Sequence, residues 1–451
     1  MKQRILAVVV VCAFGACGAA SGAPAVAESL DISLVEAGFP VGFCLLTHGR
    51  RQYVAYYDQH HRMTVAFRTL DAKAWKYQIL PSKVGWDSHN SVTMAIDDDG
   101  RIHLSGNMHC VPLIYFRTSK PWDIGSFERI KSMTGENERR CTYPHFMRGG
   151  SGEFIFHYRD GGSGNGNEIY NIYDHKTKTW RRLLDTPLTD GQGKMNAYMR
   201  GPRLGPDGYF HMTWMWRDTP DCRTNHDFSY ARTRDLKNWE TIDGKPIRLP
   251  ITLAGTKGVI IDPVPPGGGI INVTGSAGFD SKKRVVASYH KFDADGNIQA
   301  YVARFVGDKW RISCVSDWDY RWNFHGNGAI RVEIRVGTVT PAGDGKLHLP
   351  YRHIKHGSGV LVIDEETLKP LGATRPKKRS LPTEVTRRES KFKGVGVRTT
   401  GDIGSSGKPG VRYMLRWETL GSNRDRKPKG PLPEPSMLRL IKIVEKQIKG
   451  Q

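Results

Sequence analysis

Helix signals are scarce in this chain of 451 residues, and so are cysteines, acidic residues and linkers. The scarcity of helix signals excludes an α-rich fold. Past the N-terminal segment no apolar run approaches the roughly 20 residues that a helical membrane span needs, and no Pro/Ser-rich tether divides the chain into separate domains. Seven cysteines are too few and too widely spaced for a small disulfide scaffold, so the core must carry stability. Beyond residue 27 they are Cys44, Cys110, Cys141, Cys222 and Cys314, an odd set that cannot all pair; Cys110 with Cys141 is the one pair entertained. What is abundant is 50 Gly with 11 Trp, 17 Tyr and 16 Phe. That mixture suits many short strands joined by glycine turns, with aromatic side chains filling half-buried pleated faces.

The chain begins with Lys2 and Arg4, an apolar run from Ile5 to about Ala16, and then small residues. This is the order of a secretory signal, and the run is too short to cross a bilayer comfortably. Cleavage after the AVA of Ala25–Ala27 is expected, giving a signal peptide over 1–27 and a single domain over 28–451, secreted or periplasmic. FGAC, ending at Cys17, is an imperfect lipoprotein box and the competing expectation, an anchored protein.

Lys and Arg number 67 against 45 Asp and Glu, a formal charge of +22, which favours capture of polyanions. An exported chain with no nucleic-acid motif points to acidic polysaccharide rather than nucleic acid. Part of the excess lies in the stretch Arg375–Arg398, read as an exposed loop unconnected with substrate.

A strand-like run recurs about every 35 to 60 residues: RQYVAYYD at Arg51, GRIHLSGN at Gly100, GEFIFHYRD at Gly152, GYFHMTWMWRD at Gly208, RVVASYHKFD at Arg284, GKLHLPYRH at Gly345 and GVRYMLRWE at Gly410. Partner runs such as MTVAFRTLDAKAWKYQ and EIYNIYDHKTKTWRRL follow, often ending at a Trp turn. The expectation is an all-β, seven-bladed β-propeller of four-stranded antiparallel blades, with the quoted runs as inner strands, acting as a monomer. A pair of β-sandwiches is disfavoured because the repeat is almost unbroken.

SHN at Ser88, NMH at Asn107, TYP at Thr142, YRDGGSGNG at Tyr158, and HMTWMWRD with NHDFSYARTRD resemble the BNR-repeat group that includes two polysaccharide-lyase families acting on ulvan, the sulfated uronic-acid polysaccharide of green algae. The resemblance implies β-elimination, with His89, Tyr143 and Arg159 matching the family's catalytic histidine, tyrosine and arginine. It also implies that His109 is a second active-site histidine and that Tyr198 contacts the sugar. Removing the C5 proton of a uronate places further negative charge on its carboxylate, so a guanidinium such as Arg159 is the natural neutraliser. A base takes that proton and an acid protonates the departing oxygen, tasks which an imidazole and a phenol share; His89 and Tyr143 are interchangeable at this level. The glycines after Arg159 are read as letting backbone approach a ligand.

Asn90 and Asn196 are candidate substrate-orienting residues, and Trp216 a candidate sugar platform. His211, Cys222 and His226 are ligand-capable, and either a structural Zn²⁺ or a buried thiol beside hydrogen-bonded histidines accounts for them. No cofactor is expected for catalysis. Hydrolysis in the manner of sialidases is disfavoured because no paired carboxylates or arginine triad assemble from the motifs, whereas a non-catalytic carbohydrate-binding propeller fits the fold and charge equally well.

Overall fold

The computed structural model describes residues 21–375 and 381–447. The fold is all-β: besides strands, the described residues form one α-helical turn, Thr383–Thr386, and two 3-10 turns. The strands assemble into seven antiparallel sheets of four or five strands each. Each repeated run supplies one strand to one sheet: Arg51–Tyr57 to sheet I, Ile102–Ser105 to II, Phe154–Gly162 to III, Phe210–Arg217 to IV, Val285–Phe292 to V, Lys346–His353 to VI and Val411–Thr419 to VII.

These runs are not the first strands of their sheets, as expected from sequence, but follow one. Cys44–His48, Thr93–Ile96, Cys141–Arg148, Asn196–Leu204, Ser276–Phe279, Ile334–Val336 and Gly396–Gly401 precede them in chain and in sheet. The reason is burial. Phe210–Arg217 is buried at every position and therefore reads as a continuous apolar run, whereas Asn196–Leu204 and Gly396–Gly401 are partly exposed and carry a weak pattern. Residues from the first strands of sheets I, II, III and VII line one common cavity of about 1390 Å³.

Neighbouring sheets are tied by side chains of the third strands. Arg68 of sheet I donates to Glu28 on the outer strand of sheet VII, Arg117 of sheet II to the Tyr173 hydroxyl of sheet III, and Arg304 of sheet V to the carbonyls of Glu365 and Glu366 after the third strand of sheet VI. Sheet VII joins the first and last described strands, because Ser21–Val35 pairs antiparallel with Ser436–Gln447. Bridges Leu45↔Asp402 and His48↔Ser405 then connect sheet I to the segment after Gly396–Gly401. Ser21–Ala27, the end of the segment read as a signal, lies in this outer strand; residues 1–20, with the lipoprotein box at Cys17, lie outside the described residues.

Three sequence expectations are corrected. Cys110 and Cys141 form no bridge: all five described cysteines are free, and the Cys110 Sγ instead accepts from Arg140 Nε at 3.5 Å. The basic stretch is not merely a loop, since Val385 is fully buried and Arg398 lines a cavity; residues 376–380 of it lie outside the described residues. Trp216 is no sugar platform: it has 0% exposure and packs with Trp214, Met212 and Leu188 in the core. Truncating it opens a cavity, so Trp216→Ala is expected to lose about 3–5 kcal/mol in chemical denaturation. Unchanged stability with weakened sugar binding would return Trp216 to the ligand.

Candidate active site

Three strands of sheet III bring the first groups together. Thr142 is paired with His109 on one side and with Arg159 on the other, so residues from three runs become lateral neighbours. The Thr142 hydroxyl accepts from the Cys110 N–H and donates to the Gly161 carbonyl, fixing that register. Immediately after it the ladder slips, and Tyr143 adopts φ = 55°. A residue next in line would ordinarily face the other side of the sheet; the bulge re-aims this ring. A left-handed backbone at a bulky residue is strained, and such strain concentrates at functional sites.

His89 arrives from the loop before sheet II, in a turn closed by its own N–H donating to Asp87 Oδ1 at 2.9 Å. Its ring lies 4.6 Å from that of His109 and 6.0 Å from that of Tyr143, and His109 stacks 5.8 Å from Tyr143. Asp87 bridges the imidazoles, with Oδ1 2.8 Å from His89 Nδ1 and Oδ2 2.5 Å from His109 Nδ1. Asp425, from the segment before the last strand, reaches His89 Nδ1 at 3.2 Å and is itself held by the Ala329 N–H and the Ser88 hydroxyl. Two carboxylates at Nδ1 require a proton there, which leaves Nε2 as the nitrogen that can exchange one.

Arg159 is 2% exposed and sandwiched between two phenols, its Cζ 5.0 Å from the Tyr143 ring and 5.2 Å from the Tyr198 ring. Nε donates to the Gly161 carbonyl, but neither terminal nitrogen has a hydrogen-bond partner among the described residues. A buried guanidinium with both terminal nitrogens unpartnered leaves donors that an acceptor from outside the described residues can take. Gly166 makes room for this side chain, because a Cβ there would lie 2.9 Å from Arg159 Cγ and Cδ. Of the glycines in this run, Gly166 is the one that packs on Arg159, while Gly161 and Gly164 stand against backbone of Asn165 and Thr219. Arg217 also packs on Tyr198, with Cζ 4.3 Å from the ring centroid and Nη1 3.1 Å from the hydroxyl.

Protonation follows from these neighbours. Burial opposes charge on His89, but Asp425 and then Asp87 outweigh it and raise the imidazole to about 9. Burial would likewise raise Asp87, yet the hydrogen bonds from His109 and His89 prevail and hold it well below the usual carboxylate range. Tyr143 is 36% exposed, but it stands in a cleft with protein crowded round it; this desolvation, then Tyr198, raise its phenol. Tyr198 goes the other way: burial is overcome by Arg217 and Arg159, which favour the phenolate and lower it.

The remaining sequence candidates do not join this group. Asn196 is fully buried, and its side chain accepts from the Gly164 N–H, so it fixes the hairpin after Arg159. Asn90 is 8% exposed, and its backbone carbonyl accepts from the Tyr57 hydroxyl at 2.7 Å. His211 and His226 do not converge with Cys222 on a metal. Strand register places His226 opposite Trp216, five positions from His211, about 17 Å along the strand. The nitrogens of His211 meet Tyr230 and Asp207, those of His226 meet Asp227 and Asp218, and Cys222 packs in a separate apolar cluster. The donors that do cluster among the described residues are Asp87, His89 and His109, all within 4.8 Å of one another, although each imidazole Nδ1 already faces an Asp87 oxygen. Sequence reasoning missed Asp87, Arg217 and Asp425. Asp87 was findable as the turn-forming carboxylate two residues before His89; Asp425, 337 residues from Ser88, left no local signal.

The class so defined is an all-β repeat protein with imidazole, phenol and guanidinium groups gathered at an open cleft. The chain belongs to the BNR repeat-containing family, whose model matches residues 51–318. It is 29% identical over 134 residues to an ulvan lyase, short isoform, of Alteromonas sp. (strain LOR); the match spans 27% of this chain and only 25% of that protein. Among solved structures it is similar to polysaccharide lyase Uly1, with a TM-score of 0.58 at 13% identity over 93% of this chain and 99% of that one. It is also similar to a PL25 ulvan lyase, with a TM-score of 0.56 at 13% identity over 88% and 97%. The structure of a PL25 ulvan lyase bound to -[GlcA(1-4)Rha3S]- gives 0.54 at 13% identity with the same coverage. At such identities the likeness is one of fold.

Among described residues the helices are none long and apolar enough to cross a membrane. Asp425 is the testable hinge of the electrostatics. Asp425→Asn removes one of the two charges at His89 Nδ1 and is expected to lower that imidazole from about 9 by about one unit or more, read by NMR titration of the ring. A titration curve that does not move would detach Asp425 from the site.

Proposed function

We propose that this protein is an exported polysaccharide lyase that cleaves an acidic, uronic-acid-containing, ulvan-like sulfated polysaccharide by β-elimination, as a monomer and without a cofactor. Its seven sheets are the blades of one closed seven-bladed propeller. The observation that carries the reading is Arg159, buried between Tyr143 and Tyr198 with both terminal nitrogens unpartnered, beside the paired imidazoles of His89 and His109.

The substrate carboxylate takes the free donors of Arg159, which stabilises the second negative charge as the C5 proton leaves. His89 Nε2 is the base, kept in orientation by Asp87 and Asp425. The electrons of the C5–H bond form the C4–C5 double bond as the C4–O bond breaks. Tyr143, whose raised phenol stays protonated, gives its proton to the leaving oxygen. His109 and Tyr198 flank the sugar. A hydrolytic pair is disfavoured because Asp87 and Asp425 both face the same imidazole nitrogen instead of flanking a bond.

Incubation with ulvan in the presence of a chelator should generate ultraviolet absorbance from the unsaturated uronate. Binding without that product would leave a carbohydrate-binding propeller instead. Arg159→Ala is expected to lower kcat by about a hundred- to a thousandfold with the fold intact. Because the free base of His89 dominates only above about 9, kcat/KM should climb about tenfold per pH unit from 7 toward that value. A profile flat over this range would remove His89 from the base role.

A further inference from the structure

Beyond His89 and Tyr143 the cleft continues into a cavity of about 710 Å³ whose lining includes Arg217, Arg331, Arg335, Arg352 and Arg398, and no aspartate or glutamate. Some other arginines of this chain have a carboxylate partner: Arg284 meets Asp280, Arg416 meets Glu418 and Arg439 meets Asp31. Among the described residues no carboxylate lies within 4.0 Å of Arg331, Arg335, Arg352 or Arg398. Net charge alone does not explain this, because the cationic groups are concentrated where the wall is concave.

The arrangement is electrostatically costly. Arg335 and Arg352 occupy directly opposed positions on adjacent strands, a pairing that like charges disfavour. Arg398 enters from sheet VII, across the cavity lining from these strands of sheet VI. Arg335 and Arg398 are exposed, but protein crowds round them in the cleft: this desolvation, followed by the charges of Arg352 and Arg398, lowers the Arg335 guanidinium, and desolvation followed by Arg352 lowers that of Arg398. Stability forgone at a concave, solvent-reached surface is the signature of a site kept for binding. Arg352 gives one Nη2 hydrogen bond to the Val332 carbonyl, and the remaining donors of these clustered guanidinium groups match oxyanions that carry several acceptor oxygens.

We propose that Arg331, Arg335, Arg352 and Arg398 form an oxyanion subsite for a sulfate ester or a further carboxylate on the sugars next to the one cleaved. The identity of the polymer rests on the polysaccharide reading above; the anion specificity rests on the arginines. The subsite shares its cavity with Tyr143, Tyr198 and His89, so an anchored substituent fixes which sugar presents its carboxylate to Arg159.

The test is affinity electrophoresis of the full chain in gels containing ulvan, chemically desulfated ulvan or polygalacturonate. Arg352→Gln combined with Arg398→Gln is compared with the wild type and with Lys309→Gln combined with Lys346→Gln, an equal charge change at exposed positions outside the cavity. The arginine pair is expected to weaken ulvan binding at least tenfold while the lysine pair changes it less than twofold. If the anion is sulfate, desulfation weakens the wild type alike and the arginine pair has nothing more to lose; if it is carboxylate, the loss persists on all three polymers. Melting of the arginine variant should be no lower than that of the wild type, since like charges have been removed. Binding within twofold of wild type on every polymer, or equal losses in both variants, overturns the subsite. Arginine-dependent binding without unsaturated product would sink the lyase reading and leave the subsite standing; product formation with undiminished binding would do the reverse.

Discussion

A second strand buried along its whole length must be covered on both faces, and no sheet of four strands can do this for itself. Phe210–Arg217 has no exposed position, so material from beyond its own sheet must press on it from either side. That requirement ties the sheets together and makes their ends matter. The pairing of Ser21–Val35 with Ser436–Gln447 gives the first and last parts of the chain one shared sheet, and the third-strand arginines fasten adjacent sheets at their outer reaches. The first strands of sheets I, II, III and VII are left to face a common cavity, where polar and charged side chains are tolerated. Stability is thus provided by the second and third strands, and the inner edges are free to carry chemistry.

The site uses this freedom through register. A single residue, Thr142, aligns His109 and Arg159 across three strands, and the bulge that follows turns Tyr143 back beside them. The electrostatic field is assembled from farther away. Asp87 holds two imidazoles, Asp425 reinforces one of them from near the other end of the chain, and Arg217 comes from sheet IV. Two tyrosines beside the same guanidinium are pushed in opposite directions, because Arg217 lies directly against the Tyr198 ring and hydroxyl, whereas desolvation and the neighbouring Tyr198 dominate at Tyr143. Neighbouring phenols therefore differ in proton affinity through position alone.

Much of the site was legible. His89, His109, Tyr143, Arg159 and Tyr198 lie in short motifs whose residue types suit charge neutralisation and proton transfer, and the structure gathers them. The failures share a cause. Trp216, Asn196 and the His211, Cys222 and His226 set have side chains capable of binding, but capability is not exposure: burial and opposed strand positions commit them to the core, to a hairpin and to separate hydrogen bonds. The inner strands were misplaced by one for the opposite reason, since a strand that faces a cavity loses the apolar continuity by which it would be found.

By itself the sequence determined the all-β character, the seven-fold recurrence of a buried run and the basic balance of charge, because each is written in local pattern or in composition. Only the tertiary structure decided which histidine nitrogen is free, that Tyr143 turns toward Arg159, and that arginines of sheets VI and VII share a wall with them. Those outcomes depend on groups hundreds of residues apart entering one low-dielectric space, where a neighbour's charge outweighs anything that adjacent residues encode.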